Sequence, residues 1–166
     1  ESGTFVEQVW GADTFVQLVG VPKPAPWKGP QFRAIDGPSA MAAIRAAREA
    51  GVRHMVYVSV AHPAPVMRDY IAVRSECEAA IAAAGLVATI LRPWYILGPG
   101  HWWPLALQPV YRLMEQLPGT RAAALRLGLV TIQEMLIAMI WAIEQPPASS
   151  RLIEVPEIRR LGRSDA

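Results

Sequence analysis

Residues 56–100 read VYVSVAHPAPVMRDYIAVRSECEAAIAAAGLVATILRPWYILGPG, and this stretch decides the fold. It opens on an apolar strand ending at Ser59 and passes through a helical pattern that carries Tyr70 and Arg74 one turn apart. It closes on a second apolar strand running into Leu91-Arg92-Pro93-Trp94-Tyr95-Ile96-Leu97-Gly98-Pro99-Gly100. A short unbroken apolar run is what a strand buried on both faces requires. The helix pattern of Val66 to Ala84 stops at Gly85, and Val87 to Leu91 supplies the next strand. Strand, helix and strand in that order are the unit of a parallel sheet with crossover helices.

The same unit repeats upstream. Thr14 to Val21 is a continuous apolar run bounded by Asp13 and Pro22, and reads as a central strand of the sheet. Pro22, Pro24, Pro26 and Pro30 mark Val21 to Pro30 as a loop. Asp36-Gly37-Pro38-Ser39 offers a capping region for a helix over Ala40 to Ala50, stopped by Gly51, and a strand follows over His54 to Val60. Downstream of Gly100 the pattern turns mostly helical. Thr131 with Glu134 makes a capping box and Val130 with Met135 a hydrophobic staple, which predicts a helix starting near Gln133. Met135 to Ile143 reads as a buried helix closed by Pro146-Pro147, and Arg151 to Val155 as a last short strand. The predicted class is α/β, a doubly wound parallel sheet with a mostly helical C-terminal portion.

Composition agrees with one globular unit: of 166 residues 52% are apolar and 18% charged, enough for a core and too apolar for disorder. The net charge of +2 is small, and apart from Arg159, Arg160 and Arg163 the basic residues are scattered, so no nucleic-acid footprint is expected. A single cysteine, Cys77, cannot form an internal disulfide, which favours a reducing, cytoplasmic setting. No signal peptide is read at Glu1-Ser2-Gly3-Thr4, and no run reaches the roughly 18 apolar residues of a membrane span.

In open parallel sheets ligands sit outside the carboxyl ends of the strands. Three strand ends here carry small or special residues: Gly20-Val21-Pro22, Ser59-Val60-Ala61 and Pro93-Trp94-Tyr95, and these are expected to line one crevice. Tyr70 and Arg74 share a helix face at i and i+4, where a guanidinium can hold a phenol and favour its ionised form. Ser59 would then donate a hydrogen bond to a substrate carbonyl while Tyr70 delivers a proton. Plainer readings stand beside this one. Ser59 serves as a local cap, Tyr70 as a packing residue, Glu78 as a structural partner for Arg74, and Arg92 as a partner for backbone carbonyls. His62 and His101 read as solvated loop residues with no metal-ligand spacing around them. Trp94, Trp102, Trp103 and Leu105 read as wall or core.

Together these residues resemble the extended and atypical branch of the short-chain dehydrogenase/reductase family, close to the NmrA-like proteins and the nucleotide-binding accessory subunit of respiratory complex I. The resemblance rests on Asp13 to Gly20, Ala47 with Gly51 to Ser59, Tyr70 to Glu78, and Thr89 to Pro93 through Gly98-Pro99-Gly100. It implies an incomplete Rossmann-like domain, with residues 1–100 as its C-terminal half and residues 101–166 as its substrate-side portion. It also implies NAD or NADP as cofactor and a small-molecule substrate. Carried over, the catalytic roles fall on Ser59, Tyr70 and Arg74, and cofactor contacts on Gly20, Val21, Ser59, Tyr70, Arg74, Pro93, Trp94 and Tyr95.

Two departures qualify the resemblance. Arg74 stands where the family has a lysine; arginine keeps the charge but does not release a proton. No glycine-rich phosphate loop precedes Thr14, and Glu1 to Gly11 reads as the end of a helix leading into the family's fourth strand. Cofactor binding is therefore expected to need a further N-terminal segment, and Thr14 to Val21 is expected to expose an edge prone to self-association. Two functions remain open: an NAD(P)-dependent oxidoreductase or epimerase-like enzyme, and a non-catalytic dinucleotide-binding, redox-sensing or structural accessory protein.

Overall fold

The computed structural model describes residues 6–99, 105–106 and 108–163; the readings placed on Gly100, His101, Trp102 and Trp103 lie outside them. In chain order the elements are α1 (Val6–Val9), β1 (Thr14–Gln17), a 3₁₀ turn (Pro26–Lys28), α2 (Gly29–Gln31), a π-helical turn (Phe32–Asp36) and α3 (Gly37–Glu49). Then come β2 (His54–Val58), α4 (Arg68–Ala83), β3 (Ala88–Arg92) and β4 (Tyr95–Leu97). The remainder is α5 (Gln108–Gln116), α6 (Arg121–Arg126), β5 (Leu129–Thr131), α7 (Ile132–Glu144), β6 (Arg151–Glu154) and α8 (Val155–Arg163).

Four strands form one parallel sheet in the order β1-β2-β3-β6, with Val56 opposite Val16 and Thr89, and Leu91 opposite Ile153. Side chains alternate between its two faces, as the strand repeat of two requires. Met55, Tyr57 and Ile90 pack with Ala43, Ile44 and Ala47 of α3 and with Val73, Cys77 and Ile81 of α4. Val56, Leu91 and Ile153 pack with Met135, Ala138 and Ala142 of α7 and with Ile158 and Leu161 of α8. The result is the three-layer α/β/α arrangement of a Rossmann-like fold. Gly51 and Gly85 end α3 and α4 with φ of 69° and 71°, the left-handed region that a side chain would strain.

Four expectations are corrected. Thr14 to Val21 is not a central strand: β1 stops at Gln17 and forms the edge of the sheet, leaving Leu18 and Val19 more than half exposed. Val21 to Pro30 is not all loop. Pro26 and Pro30 sit at helix starts, where their missing N–H groups cost nothing, and helical backbone runs from Pro26 to Glu49. Asp36 therefore lies inside a helix instead of capping one. Lastly, α7 is only half buried. Its capping box is present, but Ile132, Leu136 and Ile140 face outward because the small Ala138 and Ala142 are the side laid on the sheet. Beyond Pro93 the chain also forms two strands the apolar pattern did not reveal, β4 and β5, paired parallel over three residues each.

Candidate active site

The carboxyl ends of β2 and β3 and the segment after β1 converge on a crevice of about 340 Å³. Val58, Ser59 and Val60 form its floor, Pro93 to Ile96 one wall, and Tyr70 of α4 with Lys23 and Pro24 the other. A recess of about 40 Å³ beneath Met67 adjoins it. Ser59, Tyr70, Pro93, Trp94 and Tyr95 are thus brought together, as the strand-end argument expects. Gly20, Val21 and Arg74 are not among the lining residues.

Those three residues build a buried support behind the crevice. The guanidinium of Arg74 pairs with Asp36, Nη2 to Oδ1 at 2.6 Å, and both side chains are almost fully buried. Its Nη1 donates to the Tyr57 hydroxyl at 3.2 Å and to the Val58 carbonyl at 3.0 Å, while the other carboxylate oxygen of Asp36 accepts the Val21 amide at 3.1 Å. A Cβ on residue 20 would fall 2.3 Å from Arg74 Nη2, so Gly20 is what lets the backbone pass over the pair. The guanidinium also lies 5.1 Å from the Tyr70 ring centroid, and Tyr70 packs against Phe32 at 4.8 Å. One arginine therefore ties α4 to the end of β2 and, through Asp36, to the segment after β1.

This arrangement sets the protonation of Tyr70. Burial pushes the phenol up, the charge and hydrogen bond of Arg74 pull it down, and the Asp36 carboxylate pushes it back up; the net shift is upward. Burial likewise dominates the rise at Tyr57. The Arg74 cation is itself held firmly: burial opposes its charge, but Tyr70, Tyr57 and Asp36 together outweigh that and raise its pKa. Tyr70 enters the crevice as a neutral phenol, equipped to give a proton.

Ser59 is buried, and its hydroxyl donates to Glu78 Oε1. Glu78 is not the partner of Arg74. It is gripped at both oxygens by Arg92, whose Nε donates to Oε1 at 3.0 Å and whose Nη2 donates to Oε2. Arg92 accordingly serves a carboxylate and not backbone carbonyls, because a fork-to-fork pair is the stronger use of a guanidinium. His62 joins the same cluster, with Nε2 3.8 Å from Glu78 Oε1, and is not a solvated loop residue. Among the described residues no group of His, Cys, Asp or Glu is placed to hold a metal ion.

Two participants escaped the sequence reading. Lys23, in a left-handed conformation (φ 49°) between Pro22 and Pro24, is the cation that lines the crevice. Its position after a strand end was the available signal. Asp36 gave none, since Asp before Gly-Pro has the look of a cap.

A three-layer parallel α/β sheet with a carboxyl-edge crevice, holding a serine on one strand end and a tyrosine four residues before an arginine, is a Rossmann-like fold with a candidate site where such sheets take their ligands. No family model matches the chain. It is 29% identical over 152 residues to a ceramide reductase of Caulobacter vibrioides (strain NA1000 / CB15N), a match that takes in 92% of this chain and 46% of that protein. The chain thus spans about half the length of this curated relative. Among solved structures it is similar to MoeE5 in complex with UDP-glucose and NAD (TM-score 0.67, 15% identity, 98% of this chain and 65% of that one). It is also similar to a UDP-N-acetylglucosamine 4-epimerase from Bacillus cereus (TM-score 0.65, 14% identity, 92% and 59%). The Bordetella bronchiseptica enzyme WbmH in complex with NAD+ gives a TM-score of 0.64 at 16% identity, over 93% and 57%. At such identities the structures speak for a shared fold. No helix among the described residues is long and apolar enough to cross a membrane.

Proposed function

We propose that this chain carries the C-terminal half of the Rossmann-like domain and the substrate-side portion of an NAD(P)-dependent oxidoreductase or epimerase-like protein, acting on a small molecule held in the crevice. The observation that carries this reading is the convergence of Ser59, Tyr70 and the Pro93 to Ile96 segment, from separate elements, on one crevice at the carboxyl edge of the sheet. The crevice has the size for one end of a dinucleotide and not the whole of it. Its residues fit the nicotinamide end: Lys23 offers a cation, Tyr70 a phenol and Trp94 a flat apolar wall. No described segment forms the glycine-rich strand-to-helix turn that holds a pyrophosphate. The ceramide reductase relative and the NAD-containing neighbours support a nicotinamide cofactor, which when bound supplies or accepts hydride. On this reading Tyr70 gives the proton, Lys23 holds negative charge at the crevice mouth, and Arg74 positions Tyr70 from behind. Ser59 donates to substrate only once its hydroxyl turns away from Glu78.

A second reading is favoured by two of the same contacts. Asp36 neutralises Arg74, and Glu78 occupies the Ser59 hydroxyl as its hydrogen-bond acceptor, so the scaffold also suits a non-catalytic dinucleotide-binding or accessory protein. Titration with NADH and NADPH, followed by nicotinamide fluorescence, separates these readings. The 166-residue chain is expected to give no saturable binding, whereas a longer chain that adds the glycine-rich turn binds one of the two cofactors. In the enzyme, Tyr70→Phe leaves that binding intact and lowers turnover about 10²–10⁴-fold, the usual worth of a general acid. An accessory protein binds and shows no turnover in either form. Failure of the longer chain to bind either cofactor would sink both readings.

A further inference from the structure

A second cavity, of about 290 Å³, is lined by Leu97 at the end of β4 and shares no lining residue with the crevice. Its wall carries Arg112, Arg159 and Arg163 against Glu115 and Glu134, an excess of one positive charge. The ion pairs here are loose. Arg159 Nη1 is 4.0 Å from Glu115 and Arg163 Nε is 3.7 Å from Glu134, beyond hydrogen-bond reach, while Arg74 meets Asp36 at 2.6 Å. Arg159 is fixed by its Nε, which donates to the Leu129 carbonyl at 2.7 Å, so its terminal nitrogens are oriented and make no hydrogen bond among the described residues. Glu134 is committed to the start of α7, where its Oε2 accepts the Thr131 amide at 2.8 Å. Arg112 makes no hydrogen bond or ion pair among the described residues.

Guanidinium forks left with free N–H groups around a concavity match a tetrahedral oxyanion, which can take several of them at once. We infer that this cavity binds a phosphate group carried by a small soluble molecule. The volume exceeds that of a bare ion, and Gln108, Glu115 and Glu134 offer acceptors for hydroxyl groups on the remainder of the ligand. A membrane lipid fits less well. The exposed Val110 and Leu113 of α5 lie on the side of that helix opposite Gln108, Tyr111, Arg112 and Glu115, which line the cavity.

Calorimetric titration of the 166-residue chain with pyrophosphate tests the site without depending on any nicotinamide cofactor. One saturable site is expected, weakened about tenfold or more by Arg112→Gln and by Arg163→Gln, as loss of a charged hydrogen bond implies. Both side chains are exposed, so circular dichroism should be unchanged in these variants. Glu115→Gln, which removes a competing carboxylate, is expected to tighten binding. Lys23→Gln, in the other cavity, is expected to leave it unaltered. Absence of saturation, or binding that ignores both arginine substitutions, or loss of binding with Lys23→Gln, would overturn the inference. So would Arg112-dependent binding to phosphatidylglycerol vesicles with none to soluble pyrophosphate.

Discussion

A guanidinium as deeply buried as that of Arg74 survives only because Asp36 meets it, and the pair in turn neutralises the charge that would otherwise act on Tyr70. Removing the carboxylate charge should therefore do two things at once. Asp36→Asn is expected to cost about 3–5 kcal/mol of stability, the usual consequence of leaving one member of a buried pair uncompensated. Urea unfolding measures that loss. The same change should lower the Tyr70 phenol, because the Asp36 carboxylate now pushes it up while Arg74 pulls it down. Difference absorption of the phenolate, with Tyr70→Phe as reference, reads this shift; an upward movement would contradict the account. The i, i+4 spacing of Tyr70 and Arg74 was legible because helical geometry fixes which neighbours share a face. The partner that decides their chemistry was not, because Asp36 is 38 residues away from Arg74 in sequence and meets it only after α4 docks on the sheet. Glu78 shows the opposite error: a correct helical spacing to Arg74 lost to a bidentate grip from Arg92, on a strand.

Elements are tied together differently at the two ends of the sheet. The carboxyl edge carries the crevice, while the amino edge carries a chain of polar contacts across all four strands. His54 Nδ1 lies 3.2 Å from Thr14 Oγ1 on β1, His54 Nε2 lies 2.9 Å from Thr89 Oγ1 on β3, and Arg151 Nε of β6 donates to the same Thr89 oxygen at 3.2 Å. Thr89 accepts from Arg151, and a neutral His54 completes the chain by donating from one ring nitrogen and accepting at the other. Burial, and then the charge of Arg151, hold the His54 pKa below its ordinary value of 6.5. The unfolded chain thus takes up a proton near pH 6.5 that the folded chain refuses until lower pH. The contribution of His54 to stability is complete above that value and is lost as pH falls through the depressed one, at no more than about 1.4 kcal/mol per pH unit. Unfolding free energies of the wild type and His54→Gln, compared between pH 7.5 and 5, should show the wild type losing more; parallel curves would exclude the mechanism. The strands themselves were readable because each is an apolar run stopped by Gly or Pro. Three-residue β4 and β5 were not, since a run that short carries no period of its own.

At the scale of the whole molecule, two apolar surfaces are left without cover among the described residues. β1 closes one side of the sheet with an unpaired edge and continues into exposed Leu18 and Val19. On α7, Ile132, Leu136, Ile140 and Ile143 form an exposed stripe at helical spacing. Sheet edges that natural proteins leave open are normally blunted by charge, proline or a bulge, and β1, with sequence Thr14-Phe15-Val16-Gln17, has none of these within it. We propose that the 18.2 kDa chain associates with itself through this edge. Size-exclusion chromatography with light scattering should give a mass above 18.2 kDa that rises with concentration. Lysines in place of Leu18 and Val19 should move it toward the monomer by setting charge beside the edge, while lysine in place of Ile140 tests the helical stripe separately. A protein that places further strands beside β1, as the greater length of the Caulobacter vibrioides relative allows, should show the same two residues buried and should not respond to concentration. A concentration-independent monomer from the 166-residue chain itself would mean that the edge is already protected, and that β1 ends the sheet by its own means.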